Sequence, residues 1–238
     1  MARGTPRSTA RPYTMTARQV AVEQTRLRIT EATMGLHERV GPRATTVSAI
    51  AEEAGVTRLT VYRHFPDEES LVRACSLHWR GLHPQPQPES WSQIADPVQR
   101  LREALAETYA WARTAAPMMA MIHRDVDSMP EFVGQSLAAG ESARVIVLSE
   151  GFGARGRAVQ RLAAALAHAL RVSTWESLCR DAGLADDEAV EIMVGAVLAA
   201  VPRQQAPPPG TSAPAPTTEV APRRNMSARQ ADQSTGKV

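Results

Sequence analysis

Cysteine is almost missing from this chain: Cys75 and Cys179 are the only two in 238 residues. They stand far apart, in helical patterns, with no C-x-x-C or metal-ligand spacing. That excludes a disulfide framework and a thiolate metal site, and it fits a reducing, cytoplasmic compartment. Long apolar runs are missing too. The longest, around residues 162–170 and 192–201, fall far short of the roughly 18 residues a membrane span requires. The start, MARGTPRSTARPYT, is basic and Pro/Thr-rich with no apolar stretch behind it, unlike a secretory signal. A soluble protein with no membrane partner is expected. Paired carboxylates, a nucleophile beside a base, and clustered His, Cys or acidic ligands are all lacking, so an enzyme is not expected, nor a metal or cofactor.

A strong overall charge is also absent, the formal net value being +2. Its distribution is uneven: residues 1–83 sum to +4, residues 84–201 to −5 and residues 202–238 to +3. A basic first portion on an acidic body suits a protein whose N-terminal part meets nucleic acid.

What the chain has is 43% apolar residues, enough for a core, and one highly ordered stretch, Thr46 to Phe65, TVSAIAEEAGVTRLTVYRHF. Val47, Ile50, Ala51 and Ala54 recur at helical spacing; after Gly55 a second stripe follows through Val56, Leu59 or Thr60, Val61 and Phe65. Two short helices therefore meet at a tight corner, where glycine tolerates positive φ and Thr57 can cap the second helix. The outward residues of that helix are hydrogen-bond formers, several of them cationic. Arginine can fork onto guanine, and threonine offers a hydroxyl and a methyl, so this chemistry suits a helix in a DNA major groove.

The run AIAEEAGVTRLTVYRHFPDEESL resembles the helix-turn-helix of TetR-type transcriptional regulators, with a tyrosine near the end of the recognition helix and a phenylalanine shortly after. Upstream, RITEATMGLHERVG is similar to that family's first helix and the glycine that ends it. The resemblance covers roughly Arg26 to Leu71. It implies an all-α fold: a three-helix DNA-binding domain followed by a helical domain for ligand binding and dimerisation. The outward positions of the second helix, Thr57, Arg58, Thr60, Tyr62, Arg63 and His64, are with Leu59 the candidate DNA contacts, and by resemblance Thr46 touches a phosphate while also capping its helix. One departure stands out. Glu68 occupies a position where the family commonly has a phosphate-reaching lysine, which removes one backbone contact.

Read in order, residues 1–15 form a basic arm with Arg3, Arg7 and Arg11. Residues 16–83 form the DNA-binding domain, whose first helix, Thr16 to Val40, carries a stripe of Val22, Leu27, Ile29, Ala32, Leu36 and Val40. His37 reads as packing rather than as a ligand. Pro66 and Asp67 open a fourth helix. Residues 84–91, within GLHPQPQPES, form a proline-broken loop or hinge. Residues 92–201 form the second helical domain. In it Pro117 is expected to start a short segment, Met118 to Arg124, before a helix from about Pro130 to Ser149.

Tyr109, Trp111, Met118, Met121 and Phe132, with Met119, Met129 and, further on, Trp175, form an apolar, deformable group. By resemblance it lines an effector pocket; a stripe of this kind is also ordinary core. Two further helices, Arg155 to Ala182 and Asp186 to Val201, present Leu162, Leu166 and Ala169, and Val190, Val194, Val197 and Leu198. The second is apolar nearly all round, and the pair is expected to build a homodimer interface, as the resemblance implies. Residues 202–238 are Pro/Ala-rich and polar, with Arg223 and Arg224, and are expected to be disordered.

The residues point to a DNA-binding helix corner, and the resemblance implies a regulator that represses from a palindromic operator and is released by a small-molecule effector. Two alternatives stay open. Glu68 admits a degenerate, ligand-independent protein acting through protein partners. GFGARG, Gly151 to Gly156, fits the dinucleotide fingerprint G-x-G-x-x-G after the β-branched run Arg144 to Leu148, with Glu176 about 20 residues on, and admits a nucleotide-binding enzyme.

Overall fold

A computed structural model describes residues 17–201; the expected N-terminal arm and C-terminal tail lie outside the described residues. Among those described, regular structure is helical throughout. The α-helices are α1 (Ala17–Val40), α2 (Val47–Glu53), α3 (Arg58–His64), α4 (Glu68–Leu82), α5 (Pro88–Trp91), α6 (Pro97–Asp125), α7 (Glu131–Ser149), α8 (Arg157–Ala169), α9 (Val172–Trp175) and α10 (Asp186–Ala200). None is long and apolar enough to cross a membrane. The all-α expectation holds, with an N-terminal helix-turn-helix followed by a helical body.

Two hydrophobic cores organise the chain. The first joins Ile29, Ala32 and Leu36 of α1 to Ile50, Val61, Phe65 and Leu71. The second centres on α6, where Leu101, Leu105, Tyr109 and Ala112 meet Leu162 and Leu166 of α8 and Val190, Val194 and Val197 of α10.

Several helices depart from the sequence reading. In α1 only the middle of the expected stripe, Ile29, Ala32 and Leu36, is buried, where α2 and α4 pack against it; Val22, Leu27 and Val40 at either end are exposed. The loop read at residues 84–91 condenses into α5 from Pro88, proline being favourable in a first helical turn. Trp91 of α5 is fully buried, and its indole N–H donates to Glu107 at 2.8 Å. Pro117 does not open a new segment: α6 runs through it, its apolar face held on both sides by neighbouring helices.

The single helix expected from Arg155 to Ala182 breaks after Ala169. The Tyr109 hydroxyl donates to the Ala169 carbonyl at 3.0 Å, Thr174 Oγ1 donates to His168 O at 2.6 Å, and the chain restarts as α9 and a π-helical turn over Glu176–Asp181. Between α7 and α8, GFGARG forms a loop with Gly151, Gly153 and Gly156 all at positive φ. The run Arg144 to Leu148 that precedes it is the last part of α7 and not a strand, so the βα turn a dinucleotide site needs is missing. Instead, the buried Arg100 guanidinium donates to the carbonyls of Val147 and Glu150, both at 3.1 Å, and ties down the end of α7.

Candidate nucleic-acid interface and internal cavities

The corner between α2 and α3 is built from local hydrogen bonds. Thr46 caps α2, its Oγ1 accepting from the Ala49 amide at 3.2 Å. At the other end of α2 the Gly55 amide donates to Glu52 O at 3.1 Å and the Val56 amide to Ala51 O at 2.9 Å. That pair of bonds is a Schellman closure, and it puts Gly55 at φ +63°. Thr57 then caps α3 by accepting from the Thr60 amide at 3.1 Å, and the two threonine hydroxyls lie 2.9 Å apart.

Val61 and Phe65 hold the inner face of α3 in the first core. Arg26 of α1 fixes its end, donating to His64 O at 2.7 Å and stacking its guanidinium 4.1 Å from the Phe65 ring centre. What remains outward is Arg58, Tyr62 and Arg63, with Leu59 75% and Tyr62 47% exposed. Thr46 and Thr57 are exposed as well, and Thr60 and His64 are half-buried. Burial, followed by the charges of Arg63 and Arg26, lowers the pKa of His64, so it presents a neutral imidazole at neutral pH. Glu68 lies exposed in the first turn of α4, beside the Asp67 cap that accepts from the Ser70 amide at 2.7 Å.

The group expected around an effector pocket divides in two. Trp111, Met118 and Phe132 line a cavity of about 140 Å³ that also touches α1 and α4 through Met34, His37 and Trp79. Tyr109, Met121 and Trp175 do not line it. Tyr109 is core, with its hydroxyl bound to Ala169, and the buried Trp175 donates its indole N–H to Asp186 at 3.1 Å. A second cavity, of about 670 Å³, was not anticipated from sequence. It lies among α6, α7 and the break after α8, and shares Gln85, Trp111, Met119 and Leu137 with the smaller one. Its polar wall includes Arg144 and Arg171, to which the sequence reading gave no site role. Only the break after Ala169 brings Arg171 and Ser173 to it.

The dimer set is corrected more sharply. Leu162, Leu166, Ala169, Val190, Val194 and Val197 are buried within the chain itself, in the core that α6 shares with α8 and α10, and only Leu198 faces outward.

A polar joint links the end of α6 to the segment between α1 and α2. Asp125 is buried and accepts from the Arg43 amide at 3.1 Å and from the Arg124 guanidinium at 2.8 Å, while Arg124 Nη2 donates to Val40 O at 3.0 Å. Hydrogen bonding from Arg124, and further contributions from Arg43, hold the Asp125 carboxyl at a pKa of about 2. One turn before this joint, burial lowers His37 from 6.5 to about 4, the nearby Asp125 charge only partly opposing it.

The folded chain therefore keeps His37 neutral while the unfolded chain takes up a proton below pH 6.5. The associated stability is present above about pH 6.5 and lost as pH falls through about 4, an effect of about 3 kcal/mol. His37→Leu is expected to flatten the fall of melting temperature across that window. A curve parallel to that of the unaltered protein would show that His37 is not the titrating group. The thiols add no reactivity: burial pushes Cys75 up to about 12 and Cys179 to about 11.

Comparison with known proteins agrees with this geometry. Residues 29–75, spanning the end of α1 through α4's first half, match the family model "Bacterial regulatory proteins, tetR family". The HTH-type transcriptional regulator TtgR of Pseudomonas putida is 36% identical over 89 residues, 37% of this chain and 42% of that protein, so the match spans well under half of that relative. Two solved structures share the overall fold. PfmR, a TetR family transcriptional regulator of Thermus thermophilus, has 20% identity and a TM-score of 0.52, covering 74% of this chain and 100% of its own. NalD, the secondary repressor of the MexAB-OprM multidrug efflux pump in Pseudomonas aeruginosa, has 18% identity and a TM-score of 0.53, covering 78% and 99%. Over residues 29–75, this chain carries a segment that matches the tetR family of bacterial regulatory proteins.

Proposed function

We propose that the chain is a homodimeric DNA-binding regulator that represses transcription from a palindromic operator and leaves it when a small molecule occupies the internal cavities. The observation that carries this reading is α3: a helix fixed by Val61, Phe65 and Arg26 on its inner side, with Arg58, Tyr62 and Arg63 free on the outer. Such a helix can enter a major groove without rearranging, while the exposed caps Thr46 and Thr57 stand beside the phosphates. A two-fold pair would set two such helices about one duplex turn apart, roughly 34 Å. The surface offered for pairing is the outer face of α8 and α10, where Val159, Ile192 and Leu198 are exposed beside Ala164, Gly195 and Ala196.

Selection of bound duplexes from a random DNA library tests the reading directly. A palindrome enriched at both low and moderate salt is the expected result; no enrichment would favour a degenerate protein acting through partners, for which Glu68 gives the motive. On the selected duplex Arg58→Ala is expected to weaken binding by about 1–3 kcal/mol and relax specificity at one position. Equal losses on cognate and random DNA would reassign Arg58 to a phosphate.

A further inference from the structure

The larger cavity holds a positive charge that the fold does not neutralise. Arg144, half-buried on α7, lines it, and among the described residues its guanidinium has neither a hydrogen bond nor an ion pair. The group lies folded against its own helix: a Cβ built at Gly140 would stand 3.7 Å from both terminal nitrogens, and glycine leaves that space open. Two acids share the wall. Glu176 is paired with Arg180 on its far side, and Glu141, one turn before Arg144, is beyond ion-pair reach though its charge is felt. Arg171, exposed at the rim, adds a second guanidinium that has no hydrogen bond or ion pair among the described residues. Two uncommitted cations thus face one uncommitted carboxylate.

Apart from these groups the wall is largely apolar. Trp111, Met119 and Leu137 separate this cavity from the methionine-lined smaller one. At about 670 Å³ the larger cavity falls within the range of about 300–1,000 Å³ found for small-molecule sites, whereas 140 Å³ alone does not.

We propose that the two cavities form one site for an organic carboxylate with a long apolar body, its head on Arg144 and its body passing Trp111 and Met119 into the methionine-lined chamber. This rests on the effector reading above and gives that effector a chemical class. A carboxylate can accept two parallel N–H bonds from the guanidinium, and partial burial strengthens that pair relative to water. A neutral ligand of the same shape would gain the apolar contacts but leave the cation uncompensated; a cationic one would add repulsion. Methionine side chains adapt to bodies of differing shape, so selectivity would lie mainly at the charged end.

The test uses the full chain and three matched probes, dodecanoate, dodecanol and dodecylammonium, followed by quenching of tryptophan fluorescence, since Trp79 and Trp111 both border the site. Dodecanoate is expected to bind most tightly. Arg144→Gln is expected to weaken it at least tenfold while changing dodecanol less than twofold, and Arg144→Lys is expected to restore part of the loss. Equal affinity for dodecylammonium, or dodecanoate binding indifferent to Arg144→Gln, would overturn the proposal. Release of DNA is measured separately. Arg144-dependent binding without release would leave the anion site standing and remove the effector role, whereas release by a ligand indifferent to Arg144 would do the reverse.

Discussion

Val194→Asp is expected to unfold the body of this protein, while Ile192→Glu combined with Leu198→Glu on the same helix leaves it folded and monomeric. Val194 is 2% exposed and packs in the core that α10 forms with α6 and α8. A carboxylate placed there has no partner, and its burial costs several kcal/mol against a total stability of about 5–15 kcal/mol. Loss of the cooperative melting transition, or a melting temperature lowered by more than about 10 °C, is the expected readout. Ile192 and Leu198 are 49% and 39% exposed, so charges at both positions stay in water within one chain and meet each other only across a pairing surface. Light scattering is expected to report half the mass, with the helical circular dichroism intact. A folded monomer from Val194→Asp would contradict the packing of α10; an unchanged dimer from the double variant would place the pairing surface elsewhere.

The second large effect belongs to Gly41. This residue is buried at φ +89°, and a Cβ built on it would overlap both the Arg124 guanidinium and the Asp125 carboxylate. Gly41→Ala therefore combines a cost of about 1–3 kcal/mol, for a positive-φ extended backbone almost confined to glycine, with displacement of the joint that ties α6 to the α1–α2 segment. A total near 3 kcal/mol corresponds to a melting temperature lowered by about 10 °C. Beyond stability, the variant is expected to bind DNA but to respond less to any ligand, since the contact from the cavity-bearing helix to the reading head is the part removed. Gly81→Ala is the control. In α4 a Cβ at that position meets nothing within 4 Å, so the change is expected to be neutral or stabilising by about 0.5–1 kcal/mol. Equal behaviour of the two variants would deny the joint its role.

The reading head was legible in the sequence because its determinants are local. Gly55, the caps Thr46 and Thr57, and the stripe of Ile50, Val61 and Phe65 each act over three or four residues, and the structure uses all of them. The body was harder to read for a definite reason. A helix apolar on nearly every side, such as α10, does not say which side meets its own chain. Packing on α6 takes Val190, Val194 and Val197 inward and leaves Ile192 and Leu198 out. Pro117 likewise looked like a helix start because the local rule says so, yet burial of Ala112, Ala115 and Met119 on either side outweighs the missing hydrogen bond. The unpaired state of Arg144 could not be read at all, since it depends on where Glu176 and Arg180 end up after the break in the α8 to α9 region.

Pro117 has one more consequence. It sits inside α6 after Trp111, which borders both cavities, and just before Met118, which lines the smaller one, and Met119, which lines both, while Asp125 lies about 12 Å further along the same helix axis. A proline leaves the carbonyl four residues earlier without its amide partner and makes that turn the softest point for bending. Taken as a stiff arm pivoting there, the last two turns of α6 convert a tilt of about 10° into a sideways travel of about 2 Å at the carboxylate that grips Arg43. The helix is thus geared: a change of angle too small to disturb the core beside the cavities becomes, at the segment that carries α2, a displacement as large as the margin between a hydrogen bond kept and one lost.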